Sequence, residues 1–335
     1  MDKLGDTRYQ ALNYRSVATL NRDLLDWSTR LPKVIDLVVG IPRSGLFVAN
    51  LLSLYLNLPL TDLEGFVNFR MLDGGQRCPV SSQEHFLKKK RNALVIDDSL
   101  FTGSQMQQAR DRIHAVNLPH NVYYAAVYVI PENKTMVDFF YECVPWPRIF
   151  EWNLMHHGDM RKWCVDIDGV LCRDPTDEEN DDGEKYLHFL KNVEPLFMPS
   201  VTVGWLVTCR LEKYRLITEG WLAKHGVKYE KLLMMNFPNK AARVAAASHS
   251  VFKADIYKKT AALLFLESSL KQAIEIAKLS GKDVFCIETR EMVNPSFAAK
   301  TIRGQERSLR LILSDPVEAL KKCYRLFRKH LLKKR

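Results

Sequence analysis

Two stretches of this 335-residue chain bring carboxylates together where they can do chemistry. In the first, Ala93-Leu-Val-Ile-Asp97-Asp98-Ser-Leu-Phe-Thr102-Gly103-Ser104, an apolar run delivers two adjacent acids to the end of a strand. Open α/β sheets receive their ligands at that end. The turn that follows offers backbone N–H groups and hydroxyls at a helix start, an anion site. Acids beside an anion nest suit a phosphorylated sugar, the acids on the ribose hydroxyls and the nest on the phosphate. Upstream, Gly40-Ile-Pro-Arg43-Ser44-Gly45 repeats the strand–turn–helix pattern with an Arg added, which suits a second phosphate cluster. In the second stretch, Trp163-Cys-Val-Asp166-Ile-Asp168-Gly169-Val170, two acids stand two residues apart at a strand end. They can converge on one metal and one phosphate, one attacking phosphorus and the other moving the proton. Thr208 ends a later apolar run with a hydroxyl suited to a phosphoryl oxygen. Lys253 can neutralise phosphate and nucleophile, with Lys258 as the alternative, and Glu267 follows the apolar 263–266.

The elements that must position these residues alternate strand and helix, which predicts parallel sheets built from βαβ units. Strands are expected at 34–40, 93–98 and 122–130, with helices from about Leu46 and over 105–116. A second series is expected at 163–168, 204–209, 263–266 and 283–287. The fold class is therefore α/β, two doubly wound parallel-sheet domains with a boundary near Met160. Residues 68–91, with Gly74-Gly75, Pro79 and the basic 88–91, read as a long loop. The acidic run 174–184, seven Asp/Glu in eleven residues, reads as a solvated loop. Phe139, Phe140, Tyr141, Trp146, Phe150 and Trp152 crowd the join. Most read as interface core between the domains, with Trp146 or Trp152 as an acceptor platform.

Composition excludes several classes. At 47% apolar and 26% charged the chain can bury a core in each half. Its longest apolar stretches, such as 51–60 and 121–130, fall short of the ~20 residues of a membrane span, and its start has no apolar signal core. Seven cysteines without a CxxC pair speak against a disulfide framework or zinc site and for a cytoplasmic setting. Of the net charge of +10, residues 316–335 carry +7, with eight Lys/Arg against one Glu. Basicity concentrated in a tail gives no footprint for nucleic acid over the remainder.

The Asp97-Asp98…Thr102-Gly103 stretch resembles the phosphoribosyl pyrophosphate (PRPP) motif of the type I phosphoribosyltransferases. The Gly40-x-x-Arg43-Ser44-Gly45 turn resembles their pyrophosphate loop. The resemblance implies that Asp97 and Asp98 hold the ribose and that Thr102, Gly103 and Ser104 hold the 5-phosphate. Arg43 and Ser44, beside Gly45, would hold pyrophosphate with Mg²⁺, and residues 88–91 would adjoin a catalytic loop. Phe101 and Gln105 depart from the family pattern. Asp166/Asp168, Thr208, Lys253 and Glu267 resemble, in order, the four motifs of the haloacid dehalogenase-like phosphatases. That resemblance implies Asp166 as nucleophile, Asp168 as general acid/base, and Thr208 and Lys253 on the phosphoryl group. Mg²⁺ would be held by Asp166, Asp168 through its carbonyl, and Glu267; Ser268 stands where that family commonly has a second acid. Few residues separate Asp168 from Thr208, which implies a minimal cap.

The order of the two domains, 1–160 and 161–312, is similar to dual-domain ribofuranosyltransferases of bacterial polysaccharide (O-antigen or capsule) synthesis. This implies transfer of 5-phosphoribosyl from PRPP to a glycan hydroxyl with inversion, then removal of the 5-phosphate. The alternatives are a nucleobase phosphoribosyltransferase fused to a nucleotidase, and a PRPP-sensing regulatory protein. Residues 313–335 read as a basic amphipathic helix capped by Asp315, Pro316 and Glu318. It is expected either to lie on the inner face of an anionic membrane, where lipid-linked glycans are extended, or to dock on the protein.

Overall fold

Leu37, Val39, Ala93, Val95 and Ala126 sink into one hydrophobic cluster, while Val38, Leu94, Ile96, Ala125 and Val127 sink into another. Successive residues of a strand face opposite sides, so both faces of this sheet are covered, which is why its strands read as unbroken apolar runs. The computed structural model describes residues 12–72, 83–246 and 249–296, and the chain divides into two units between Leu154 and Met155.

In the first unit the elements run β1 (Asn13–Arg15), α1 (Val17–Ser28), β2 (Leu37–Gly40), α2 (Ser44–Leu56), β3 (Leu60–Asp62) and α3 (Leu63–Val67). They continue with α4 (Gln83–Lys88), β4 (Asn92–Leu100), α5 (Ser104–Val116), β5 (Asn121–Val129), β6 (Phe139–Cys143) and β7 (Arg148–Phe150). Five strands form a parallel sheet in the order β3-β2-β4-β5-β6. Helices α3 and α5 cover one face through Phe66, Met106, Ala109 and Ile113. Helices α1 and α2 cover the other through Leu20, Leu24, Val48 and Leu52. The short β1 pairs with β7 in parallel.

The second unit runs β8 (Trp163–Val165), α6 (Glu184–Asn192), β9 (Val203–Leu211), α7 (Arg215–Lys224), β10 (Tyr229–Met235) and α8 (Lys240–Ala245). It continues with α9 (His249–Lys259), β11 (Leu264–Glu267), α10 (Leu270–Ser280), β12 (Val284–Cys286) and β13 (Glu291–Val293). Its sheet has the order β10-β9-β8-β11-β12-β13, parallel except for the last pair. Both units are thus α/β with parallel sheets. In each, the chain reverses its direction of travel across the sheet, between β2 and β4 and between β8 and β11. Such reversals open a crevice at the strand C-termini.

Several expectations change. The strand expected at 93–98 is β4, which continues to Leu100 because β5 pairs with it as far as Val129. Asp97 and Asp98 therefore sit inside the strand, past Ile96, where β2 stops pairing. The strand expected at 163–168 ends at Val165, which leaves Asp166 and Asp168 in the turn beyond. Within the expected loop 68–91, residues 83–88 form α4, while 73–82 lie outside the described residues. The join holds two strands not expected from the sequence, β6 and β7. Its aromatics Phe139, Tyr141, Phe150 and Trp152 pack on the core of the first unit. The basic segment 313–335 lies outside the described residues, and among those described no helix is long and apolar enough to cross a membrane.

Candidate functional site

At the first reversal point β2 ends at Gly40 opposite Ile96, and the chain turns through Pro42 and Arg43 into α2. The turn must come close: a Cβ on Gly45 would meet Ile96 O at 2.8 Å and Asp97 Oδ1 at 3.0 Å. The neighbouring Ser44 hydroxyl donates to Asp98 Oδ1 at 2.8 Å, and the Trp152 indole N–H donates to Asp98 Oδ2 at 2.6 Å. Asp98 is buried with both oxygens engaged. Asp97 is different. Its Oδ1 accepts from the Asp98 amide at 2.8 Å, and it lines a cavity of about 150 Å³ with Thr102, Gly103 and Ser104. Burial, and then the adjoining Asp98 charge, push the Asp97 carboxyl up to about 8.

Gly103 caps α5 with φ 79°, a left-handed conformation that favours glycine. No side chain caps that helix start, and Thr102 Oγ1 lies 3.0 Å from Ser104 Oγ. Arg43 is exposed beside the α2 start. Asp97, Thr102, Gly103 and Ser104 thus line one cavity, with Ser44 against Asp98 and Gly45 against Asp97 beside it, but the two acids are not equivalent. Asp97 faces the cavity; Asp98 is a strut between α2 and Trp152. Sequence reading also missed Arg148, which is buried beside this cluster with its guanidinium 5.6 Å from the Phe101 ring. Burial pushes it down to about 10 against the opposing Asp98 charge. A single Arg between Pro147 and Ile149 carries no signal that could have found it.

At the second reversal point the Asp166 amide donates to Leu266 O at 3.0 Å, so the turn after β8 is clamped onto β11. The Lys253 ammonium, from α9, lies 2.6 Å from Asp166 Oδ2 and 2.8 Å from Glu267 Oε2, and reaches Gln272 Oε1 at 3.1 Å. The other oxygens are also occupied. Asp166 Oδ1 accepts from the Ile167 amide, and Glu267 Oε1 from the Ser268 amide and hydroxyl and the Ser269 amide. Burial disfavours the Lys253 charge, but the Asp166 and Glu267 carboxylates outweigh it and hold the amine well above its ordinary range. Burial and the Glu267 and Asp168 charges push Asp166 upward, against the pull of Lys253.

Asp168 is turned the other way. Arg210, fully buried, donates to its Oδ1 from Nη2 at 2.6 Å and from Nε at 3.1 Å, and also reaches Cys172 Sγ at 3.2 Å. Thr208 is fully buried, its Oγ1 accepting from the Arg210 amide at 3.2 Å. A cavity of about 170 Å³ opens over Asp166, Asp168 and Lys253, and Thr208 and Glu267 lie outside its lining.

The side chains of this expected set do not converge on one centre. Lys253 stands between Asp166 and Glu267, and Arg210 draws Asp168 aside. Among the described residues no group of three or more His, Cys, Asp or Glu could hold a metal ion. Of the expected set, Asp166 and Glu267 meet on the Lys253 ammonium, while the Asp168 carboxylate is held apart by Arg210.

The far wall of this cavity was not anticipated. Asp174, Pro175 and Asn180 of the acidic run line it, together with Tyr186, Arg243 and His249. The run is more than a solvated loop, because Asp182 Oδ2 accepts from the Lys240 amide at the start of α8, and Asp182 Oδ1 from Tyr214 and Lys213. Its density of acids hid this role, since a charge run in sequence does not show which members find donors.

No family model and no curated protein matches the chain. Among solved structures, the N-terminal two-fifths or so is similar to a purine phosphoribosyltransferase from Pyrococcus horikoshii, 17% identical with a TM-score of 0.31, covering 42% of this chain and 92% of that one. It is similar also to a xanthine-guanine-hypoxanthine phosphoribosyltransferase from Helicobacter pylori, 17% identical with a TM-score of 0.31, covering 43% and 93%. A hypothetical protein from Neisseria gonorrhoeae with bound ppGpp is 14% identical with a TM-score of 0.31, covering 43% of this chain and 91% of that one.

Proposed function

We propose that this protein is a two-step ribofuranosyltransferase that takes PRPP as donor and a glycan hydroxyl as acceptor. The observation that carries the reading is the repetition of one arrangement. In each unit the strand order reverses beside an acid set at a small cavity, the first Asp97 at the α5 start, the second Asp166 beside Lys253.

In the first step the acceptor oxygen forms a bond to C1 of the phosphoribosyl group. The bond from C1 to pyrophosphate breaks, its electron pair leaves with pyrophosphate, and the hydroxyl proton is given up to solvent. Asp97 takes the ribose hydroxyls, and the Thr102–Ser104 turn takes the 5-phosphate at the uncapped start of α5. Asp98 keeps its strut role, fixing the Arg43–Ser44 turn through Ser44, and that turn receives pyrophosphate.

In the second step a carboxylate oxygen of Asp166 attacks the 5-phosphate. The phosphorus–O5 bond breaks, the electron pair stays on O5, and Asp168 supplies the proton. Water then attacks the aspartyl-phosphate, returns a proton to Asp168 and releases inorganic phosphate. Lys253 holds the Asp166 oxygen in position, and Arg210 aims Asp168 through its two nitrogens on one oxygen. The net product is an acceptor carrying bare ribofuranose, which explains why a phosphate-removing unit would follow a phosphoribosyl-transferring one. The glycan acceptor, its lipid link and contact of the basic C-terminal segment with a membrane belong to the same proposal.

The test is mass spectrometry of products from PRPP offered with short bacterial glycans and with each free nucleobase. A glycan gaining one pentose is the expected product. A nucleoside would move the protein to nucleobase chemistry, and PRPP binding without turnover on any acceptor would favour a sensor.

A further inference from the structure

Arg243 lines the cavity above Asp166 from α8, and its side chain is held almost entirely out of solvent, with 9% of its surface exposed. Its Nη1 donates to Cys209 O at 2.7 Å, while its Nε is buried and finds no partner among the described residues. His249, at the start of α9, lines the same cavity, and its buried Nε2 likewise finds none. The other cation of the lining, Lys253, is already spent on Asp166 and Glu267. Arg243 has no carboxylate within ion-pairing distance among the described residues. A buried guanidinium nitrogen without an acceptor is costly, and a planar fork suits phosphate oxygens.

We propose that Arg243 and His249 form the phosphoryl-receiving wall of this cavity: the guanidinium takes phosphoryl oxygens of the substrate and His249 Nε2 shares the same group. The proposal deepens the phosphatase reading and rests on it for the substrate class, a phosphate monoester on a small sugar. The size of the cavity fits that class. At about 170 Å³ it is smaller than the ~300 Å³ at which drug-sized ligand sites begin, so it takes a phosphorylated head with the remainder outside. Burial, with the charges of Arg243 and Lys253, holds the His249 imidazole below its ordinary range. The acidic run has a role here too. Lys240 reaches Asn180 O, and Asp182 accepts the Lys240 amide, so the loop anchors the helix that carries Arg243.

The experiment uses the full chain as wild type, R243M, R243K and H249N, with two readouts and thermal melting as a check on folding. Inorganic phosphate binding is measured by calorimetry, and phosphate release from ribose 5-phosphate gives kcat and KM. R243M is expected to weaken phosphate binding and raise KM roughly tenfold to a hundredfold, as loss of a charged hydrogen bond implies. R243K should recover part of the loss, and H249N should show a smaller one. Wild-type phosphate affinity and KM in a folded R243M would overturn the assignment. Should R243M fail to melt cooperatively, unchanged values in both R243K and H249N overturn it instead. Wild-type protein that binds phosphate through Arg243 but releases none from the ester would leave the wall standing and sink the phosphatase reading. Wild-type protein that does neither sinks both.

Discussion

Adjacent acids of the same type can have opposite jobs, and Asp97 and Asp98 are such a pair. Asp98 is fixed by Ser44 and Trp152, whereas Asp97 is left at the cavity with a carboxyl raised from 3.8 to about 8. The folded protein therefore keeps a proton on Asp97 through a range in which the unfolded chain has lost it. That contribution to stability is complete below pH ~4 and disappears as pH rises through 8. Asp97→Asn cannot titrate, so its melting temperature relative to wild type should climb between pH 4 and 8. A difference that does not change with pH would contradict the account. Lys253 presents the opposite balance, since two buried carboxylates depend on its one charge. Lys253→Met leaves both without a cation and should cost about 3–5 kcal/mol in denaturant unfolding. A cost within the range of an exposed pair, about 1 kcal/mol or less, would show that the ammonium is not what holds them.

Elements decide how such residues meet, and here the sequence was legible in one respect and blind in another. The long buried strands β4, β5 and β9 stand out as apolar runs because both faces of each sheet are covered, and their positions follow within a few residues. The short strands β1, β3, β6 and β7 escaped notice: each is part-exposed or only three residues long, and their pairing is set by distant partners such as Arg148 for Asn13. The candidate residues can be picked out by type and order. Which oxygen faces which donor is not legible in this way, because Arg210 and Trp152 act from elements 42 and 54 residues away. One close approach makes the element scale testable. Gly45 sits where a Cβ would meet the Ile96 carbonyl oxygen at 2.8 Å, and backbone cannot yield cheaply. Gly45→Ala should push α2 from β4, lower the melting temperature and weaken PRPP binding by calorimetry. Wild-type melting and affinity in that variant would show that the turn has room to spare.

Across the whole molecule, two sheets of like construction carry two different sets of acids in one chain. The net charge of +10 says little about them, since most of it lies in residues 316–335. In the proposed function what joins the units is chemistry: the first would leave a phosphate monoester on the product, and the carboxylate, lysine and arginine of the second would remove it. The account then requires the second step to be separable from the first. Asp166→Asn removes the proposed nucleophile while leaving the residues of the first unit untouched. The decisive measurement is the mass of the acceptor after reaction with PRPP, compared between wild type and Asp166→Asn. The account predicts bare pentose on the acceptor with wild type and a product heavier by one phosphate with the variant. The same bare pentose from both proteins, or no transfer at all from Asp166→Asn while wild type reacts, would contradict it.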